Sequence, residues 1–402
     1  MKKKVLILNP YLPTMGGGEK HMGFFCQSIE AYFDHNVSID ILVHDYYDVH
    51  VDAPNYVTID ELNKVFGTNL CCTGIRKIYL EKEDGSMLPS VKNKRMIENI
   101  TGEYDLFINF MFLSKHIGKA KKNIYQCMFP PHRFVQDRPG ATGLKKLVLK
   151  YWDYQFYHSY DAFVCNSQFT NHWLGTYWKV TPKNTFIYPP VFDTEDVASG
   201  KYDEMKKENI IISVGRFFVA GHSKRQLDMV RFFVNNQDKL RDCEYHLVGS
   251  ISESEQDREY FRQIEAEASK VNNVFFHIRM PSDELAKLYA RAKIFWHATG
   301  YGIDENVNPE QMEHFGITTV EAMNYGAVPV VINKGGQKET VEDGVNGYLW
   351  NTEEECVSRT YELITNEELR QKMAQCSVER AKSFTIDKFI KDNLALFEKM
   401  SL

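Results

Sequence analysis

Two glutamates eight residues apart, Glu313 and Glu321, bracket the turn Phe315-Gly316-Ile317 and the start of an apolar helix. Two cations, Arg216 and Lys224, follow an earlier apolar strand. A carboxylate repels phosphate, so the glutamates suit hydroxyls, from which each can accept hydrogen bonds. The cations suit a diphosphate: Arg216 can fork two of its oxygens, and Lys224 or Arg225 can add a further charge. Gly316 lets backbone approach a ligand, and the free N–H groups at 317–319, aided by the helix dipole, favour a phosphate there. These residue types together answer a ligand made of sugar, diphosphate and ribose. Thr318 and Glu321 also fit a capping box, in which Glu321 only satisfies a backbone N–H. Glu313 has no local duty of that kind.

The surrounding pattern is strand–helix alternation. Lys4–Leu8 reads as a buried strand that runs into Gly16-Gly17-Gly18-Glu19 and a helix over His21–Phe33, the first unit of a nucleotide-binding type of fold. Further strands are predicted at Val37–Val43, Asp105–Phe110, Asn123–Cys127 and Phe163–Cys165. Asn166 and Ser167 follow the last of these, where ligands collect in open sheets, although a helix cap explains them equally well. Tyr188-Pro189-Pro190-Val191 stiffens the chain before the polar segment 193–209, which reads as a linker. A second series then gives strands at Ile210–Val214, Tyr245–Gly249, Val274–Ile278, Lys293–Ala298 and Val328–Ile332. The fold class is therefore α/β, with one domain over 1–192, a second over 193–385, and a terminal helix at 386–402 predicted to return to the first.

At 402 residues the chain exceeds one ordinary core, and 43% apolar with 25% charged residues is the composition of a globular protein. The net charge of −6 is uneven: residues 1–190 hold 22 Lys/Arg against 18 Asp/Glu, and residues 191–402 hold 26 against 36. An acidic second half argues against nucleic acid as a partner. The run after Lys2-Lys3-Lys4 is too short for a signal peptide, and no stretch approaches the roughly 18–20 apolar residues of a membrane span. Eight cysteines without a CxxC, two of them the neighbours Cys71 and Cys72, suggest a reduced, cytoplasmic compartment, with neither a disulfide framework nor a zinc site. Residues 142–158 combine Lys145, Lys146 and Lys150 with Leu147, Trp152 and Phe156, which suits either a basic amphipathic helix on the inner membrane face or a helix packed on its own sheet.

Taken in order, Gly16-Gly17-Gly18-Glu19, Asn166-Ser167-Gln168-Phe169-Thr170, Ile187-Tyr188-Pro189-Pro190-Val191, Gly215-Arg216, Lys224 and Glu313-x7-Glu321 resemble glycosyltransferase family four, the retaining nucleotide-sugar transferases of GT-B fold. The wording Glu313-His314-Phe315-Gly316-Ile317 looks like the branch with lipid-linked oligosaccharide mannosyltransferases and bacterial surface-glycan enzymes. The resemblance implies two Rossmann-like domains facing each other across a cleft. It implies Arg216 and Lys224 on the donor diphosphate, Glu321 on ribose, the backbone of Phe315–Ile317 on phosphate and sugar, and Glu313 at the sugar face where the bond breaks. Gly17 and Gly18 would approach the donor from the first domain, and the base would be read near His277. The family often has a histidine before Phe-Pro, where this chain has Met128; His132 lies four positions on.

The expected reaction is transfer of a sugar from a UDP- or GDP-sugar to a hydroxyl of a glycan, lipid-linked or protein acceptor, with retention and with no metal or other cofactor. A nicotinamide enzyme would need GxGxxG with an acidic residue about 20 positions on, and neither glycine turn supplies it. A non-catalytic nucleotide-sugar-binding subunit is the alternative that keeps most of these residues.

Overall fold

A computed structural model describes residues 2–12, 16–46, 57–81, 87–179, 184–193, 205–219, 221–252 and 254–402. Most of the expected linker, 194–204, lies outside them. The chain divides into two compact units, Met1–Pro190 with Ile386–Leu402, and Val191–Thr385.

The first unit holds β1 (Lys3–Leu8), α1 (Gly17–Tyr32), β2 (Val37–Tyr46), α2 (Ile59–Phe66), β3 (Thr73–Leu80), α3 (Met87–Thr101), β4 (Leu106–Asn109), β5 (Lys122–Cys127), α4 (Phe134–Asp137), α5 (Gly143–His158), β6 (Ala162–Cys165), α6 (Gln168–Trp178) and β7 (Asn184–Phe186). Its seven-stranded sheet has the order β3-β2-β1-β4-β5-β6-β7, with every pairing parallel. Central strands are covered on both faces, so Val5–Leu8 is fully buried and reads as an unbroken apolar run. The terminal helix, Ile386–Met400, lies in this unit, where Phe397 meets Phe25 and Tyr32 edge-on with ring centroids 5.6 Å apart.

The second unit holds β8 (Glu208–Val214), α7 (Gln226–Asn235), α8 (Gln237–Leu240), β9 (Glu244–Gly249), α9 (Glu255–Ala268), β10 (Val274–Ile278), α10 (Ser282–Arg291), β11 (Ala292–His297), α11 (Ile317–Asn324), β12 (Val328–Ile332), α12 (Gln337–Thr340), β13 (Tyr348–Trp350), α13 (Glu353–Thr365) and α14 (Glu367–Ala381). Its six strands, again all parallel, run β10-β9-β8-β11-β12-β13. Strand order reverses between β8 and β11. In an open parallel sheet, that reversal opens a crevice at the carboxyl ends of the two strands.

Among the described residues, His21 is buried, and His116 and His314 are partly buried with enclosed rings; all three are held neutral. Burial pushes His21, among the rings of Phe110 and Phe389, down to about 3, and does the same to His116 and His314, where neighbouring Lys94 and His222 add to the effect. Each resists protonation in the folded chain, while the unfolded chain takes up the proton near pH 6.5. The stability they support is complete above that pH and is lost as the pH falls toward 3. Acidification from pH 6.5 to 5 is therefore expected to cost up to about 2 kcal/mol for each. Urea midpoints at pH 7, 6 and 5 should fall steadily; equal midpoints at pH 7 and 5 would contradict this.

Candidate active site

The site is assembled at the reversal between β8 and β11. Ser213 Oγ, near the end of β8, donates to Trp296 O of β11 at 2.9 Å and lies 2.9 Å from the Tyr245 hydroxyl, whose side chain rises from the start of β9, which ties the three strands together. Beyond β8 the chain turns through Gly215 and Arg216. The buried Gln226 at the start of α7 donates to both of their carbonyls, at 3.3 and 2.9 Å, and holds the returning loop. A Cβ at Gly215 would lie 2.7 Å from Lys224 Cγ, so the lysine stem crosses that glycine. Arg216 stands over the ring of Phe218, with Cζ 5.0 Å from its centroid.

Lys224 Nζ lies 2.5 Å from Glu313 Oε2, and His297 Nε2, from the last residue of β11, lies 2.9 Å from the same oxygen. Thr299 Oγ1 is 3.2 Å from that imidazole nitrogen. Burial alone would raise the Glu313 carboxyl, but the Lys224 charge and the hydrogen bond from His297 outweigh it and hold the group well below the ordinary carboxylate range. Burial lowers His297, against the pull of Glu313, so a neutral ring donating from Nε2 to an ionised carboxylate fits the site. Glu313 therefore does have a structural duty, contrary to the expectation from sequence: it pairs Lys224 and anchors His297. Neither histidine 297 nor His222, whose ring lies 5.8 Å from that of His314, was singled out by the motif spacing. The available signal for His297 was its place at the end of an apolar strand.

The loop carrying Glu313 is held from behind. Gly336 N donates to Glu313 O at 2.7 Å, and side chains at Gly335 or Gly336 would come within 2.3 and 2.4 Å of the carbonyls of Glu313 and His314. Gly335 also has φ 59°, which favours glycine. Phe315 is buried against Phe384, with ring centroids 5.3 Å apart.

The expected cap is corrected by the structure. Gly316, at φ 101°, is the N-cap of α11, and Thr318 is the second residue of the helix. A β-carbon at 316 would sit 2.8 Å from Gln337 Nε2, so the sharp turn requires glycine. No side chain caps this end, and Ile317 and Thr318 lie in the first turn, whose amides have no acceptor within the helix. Glu321 instead lies beside Tyr289, whose hydroxyl donates to Oε2 at 3.3 Å.

Within the second unit, Arg225 and His277 make contacts other than those of this cluster. Arg225 is the N-cap of α7 at φ 56°, and its guanidinium is 3.9 Å from Asp228, whereas Lys224 reaches Glu313. His277, on the edge strand β10, stacks on His246 with rings 5.1 Å apart and 2.9 Å between His246 Nδ1 and His277 Nε2. In the first unit Ser167 caps α6 by accepting from Thr170 N at 3.0 Å, the structural alternative named above. Asn166 Nδ2 is 3.9 Å from Met128 Sδ, and His132 packs edge-on against Tyr177. Gly17 and Gly18 fall in the first turn of α1, which begins four residues earlier than expected, with Glu19 accepting from Gly16 N at 2.9 Å.

Residues 195–380 match the family of glycosyl transferases group 1. The second unit is a group 1 glycosyl transferase domain. Among relatives, the chain is 29% identical over 244 residues to a GDP-Man:Man(3)GlcNAc(2)-PP-Dol alpha-1,2-mannosyltransferase of Dictyostelium discoideum, covering 56% of this chain and 46% of that protein. It is 25% identical over 348 residues to the Homo sapiens protein of that name, covering 83% and 62%. The chain thus spans about half to two thirds of the length of these relatives. Among solved structures, it is similar to a glycosyltransferase from Rickettsia africae (TM-score 0.65, 17% identity, 99% and 98% covered) and to Anabaena Alr3699/HepE in complex with UDP-glucose (TM-score 0.65, 17% identity, 99% and 100% covered). With them it shares the GT-B fold, of which the group 1 domain is the second Rossmann-like unit.

Proposed function

We propose that the chain is a retaining glycosyltransferase that moves a sugar from a nucleoside-diphosphate sugar to an acceptor hydroxyl. The observation that carries this reading is the meeting of Lys224, Glu313 and His297 at the strand-order reversal of the group 1 domain, beside Arg216. In the proposed reaction the bond from the anomeric carbon to the phosphate oxygen breaks and a bond to the acceptor oxygen forms on the same face. The acceptor proton passes to the departing phosphate. Such a step needs charge stabilisation on the leaving group, which Arg216, Lys224 and the uncapped start of α11 supply. Glu313 takes the sugar-side role and Glu321 the ribose. The relatives named above support a GDP-sugar donor and a lipid-linked acceptor, and the UDP-glucose complex of a structural neighbour supports a UDP-sugar.

A panel of UDP- and GDP-sugars tests this: one donor is expected to release nucleoside diphosphate, faster when an acceptor is added. Tight donor binding with no release by any donor would favour the non-catalytic subunit.

A membrane-side acceptor is supported by α5. This helix buries Leu149, Asp153 and Phe156 and exposes Leu144 (78%) and Leu147 (62%) with Tyr151, Trp152 and all three lysines. Apolar and aromatic side chains interleaved with lysines match an anionic interface. No helix among the described residues is long and apolar enough to cross a membrane, so the proposed contact is peripheral. The chain is expected to sediment with vesicles containing phosphatidylglycerol, and Leu147→Glu should reduce the bound fraction several-fold. Equal sedimentation of the two proteins would remove α5 from the contact.

A further inference from the structure

A second cluster of reactive side chains lies in the first unit, at the amino-terminal ends of β2 and β3. Glu30 is on the last turns of α1. His35 follows in the connection to β2, at φ 57° beside Asp34 at φ 48°. Cys71 and Cys72 occupy the bend before β3. Neighbouring residues of an extended segment point to opposite faces. The bend instead turns both thiols to one side, with the sulfurs 3.9 Å apart.

Glu30 is fully buried, and its carboxylate organises the cluster. Oε1 accepts from Cys72 N at 2.9 Å and Thr73 Oγ1 at 2.7 Å, while Oε2 accepts from Cys71 N at 3.0 Å. Oε2 also lies 3.4 Å from Cys71 Sγ and 3.7 Å from His35 Nδ1, and that nitrogen is 3.4 Å from Cys71 Sγ. All the potential ligand atoms of the four residues fall within 4.8 Å of one another. A tetrahedral centre with bonds of about 2.3 Å to sulfur and about 2.0–2.2 Å to nitrogen or oxygen has edges of roughly 3.3–3.8 Å. The separations among Glu30 Oε2, His35 Nδ1 and Cys71 Sγ, 3.4–3.7 Å, fall within those edges, and Cys72 Sγ, which donates to His35 O at 3.2 Å and lies 3.9 Å from Cys71 Sγ, needs only a small turn to close the set.

Charge points the same way. Among the described residues the basic group paired with Glu30 is His35, charged only when protonated, so a buried carboxylate is left facing two thiols without a permanent cation. Two thiolates, an imidazole and a carboxylate are a donor set for zinc. We propose that Glu30, His35, Cys71 and Cys72 bind a zinc ion that ties the edge strand β3 and the turn before β2 to α1. At the strand ends opposite those where ligands collect in open sheets, the ion's role is structural. Adjacent cysteines lack the CxxC spacing, and their partners lie 36 or more residues away, so cysteine spacing alone argues against a zinc site.

The full chain, reduced and stripped by chelator, is expected to take up one Zn²⁺ and to unfold roughly 5 °C higher when loaded. Co²⁺ in place of Zn²⁺ should give tetrahedral d–d bands with thiolate-to-metal charge transfer. Cys71→Ser and Cys72→Ser should each weaken Zn²⁺ binding at least about tenfold and diminish the charge-transfer band, and His35→Ala should weaken binding while keeping it. In the unsubstituted protein, Zn²⁺ should shield Cys71 and Cys72 from alkylation while leaving Cys376 reactive, a readout that does not depend on the variants folding. Absence of uptake by the reduced chain, or uptake unchanged when both cysteines are replaced, would overturn the proposal.

Discussion

Glu313→Gln is expected to lower sugar transfer by roughly 10²–10³-fold while nucleoside-diphosphate affinity is retained or improved. Glutamine keeps the size of the side chain and can still accept from His297, but it carries no charge to stabilise a sugar that becomes electron-poor as the bond breaks. The second half of the expectation follows from the ion pair. Lys224 is paired with Glu313 at 2.5 Å, so a diphosphate competes with the carboxylate for it. Removing that negative charge frees the lysine and removes a repulsion. Binding is measured by calorimetry with the nucleoside diphosphate of the active donor, and transfer by product formation at saturating donor. Transfer within tenfold of the unsubstituted protein would exclude the sugar-side role of Glu313.

The pH dependence of that variant is a second reading of the same site. A carboxyl held well below its ordinary range adds stability that is present above about pH 4.5 and is lost only as the pH falls through its depressed value. Glu313 is thus ionised throughout pH 5–8. Any acid-side loss of activity in that window belongs to other groups, and Glu313→Gln should leave its position unchanged.

What the sequence disclosed followed burial. The central strands are covered on both sides, so Val5–Leu8, Ile210–Ile212 and Val328–Ile332 form continuous apolar runs that can be read without a structure. The strands that escaped notice, β3, β7 and β13, are all edges. In β3 the residues from Thr73 to Tyr79 are only partly buried, and the stretch carries Gly74, Arg76 and Lys77, which dilute any periodic signal. The site divides similarly. Glu313 and Arg216 stand at chain positions whose local pattern announces a loop after a strand. His297, and the pairing of Lys224 with Glu313, acquire their meaning only when β8 and β11 become neighbours, although 83 residues separate Ser213 from the Trp296 carbonyl that it bonds. Local chemistry also misled: Thr318-x-x-Glu321 has the letters of a capping box, but Gly316 at φ 101° takes the cap position and shifts the helix start ahead of it.

Lys224→Met is expected to weaken nucleoside-diphosphate binding by roughly 10–150-fold, the range for losing one hydrogen bond to a charged group, while Arg225→Ala stays within about threefold. Sequence left the two cations as alternatives because they are neighbours in the same loop after Arg216. Geometry separates them: Lys224 lies across Gly215 and reaches the Glu313 oxygen, while Arg225 caps α7 and turns toward Asp228. A control distinguishes lost charge from lost shape. Gly215→Ala leaves both cations in place but sets a methyl 2.7 Å from Lys224 Cγ, which must displace the stem. It should therefore reproduce part of the Lys224→Met defect. Combining Gly215→Ala with Lys224→Met should add little, because the displaced group is already gone. Full additivity, or a larger loss for Arg225→Ala than for Lys224→Met, would move the diphosphate to the Arg225 side of the loop.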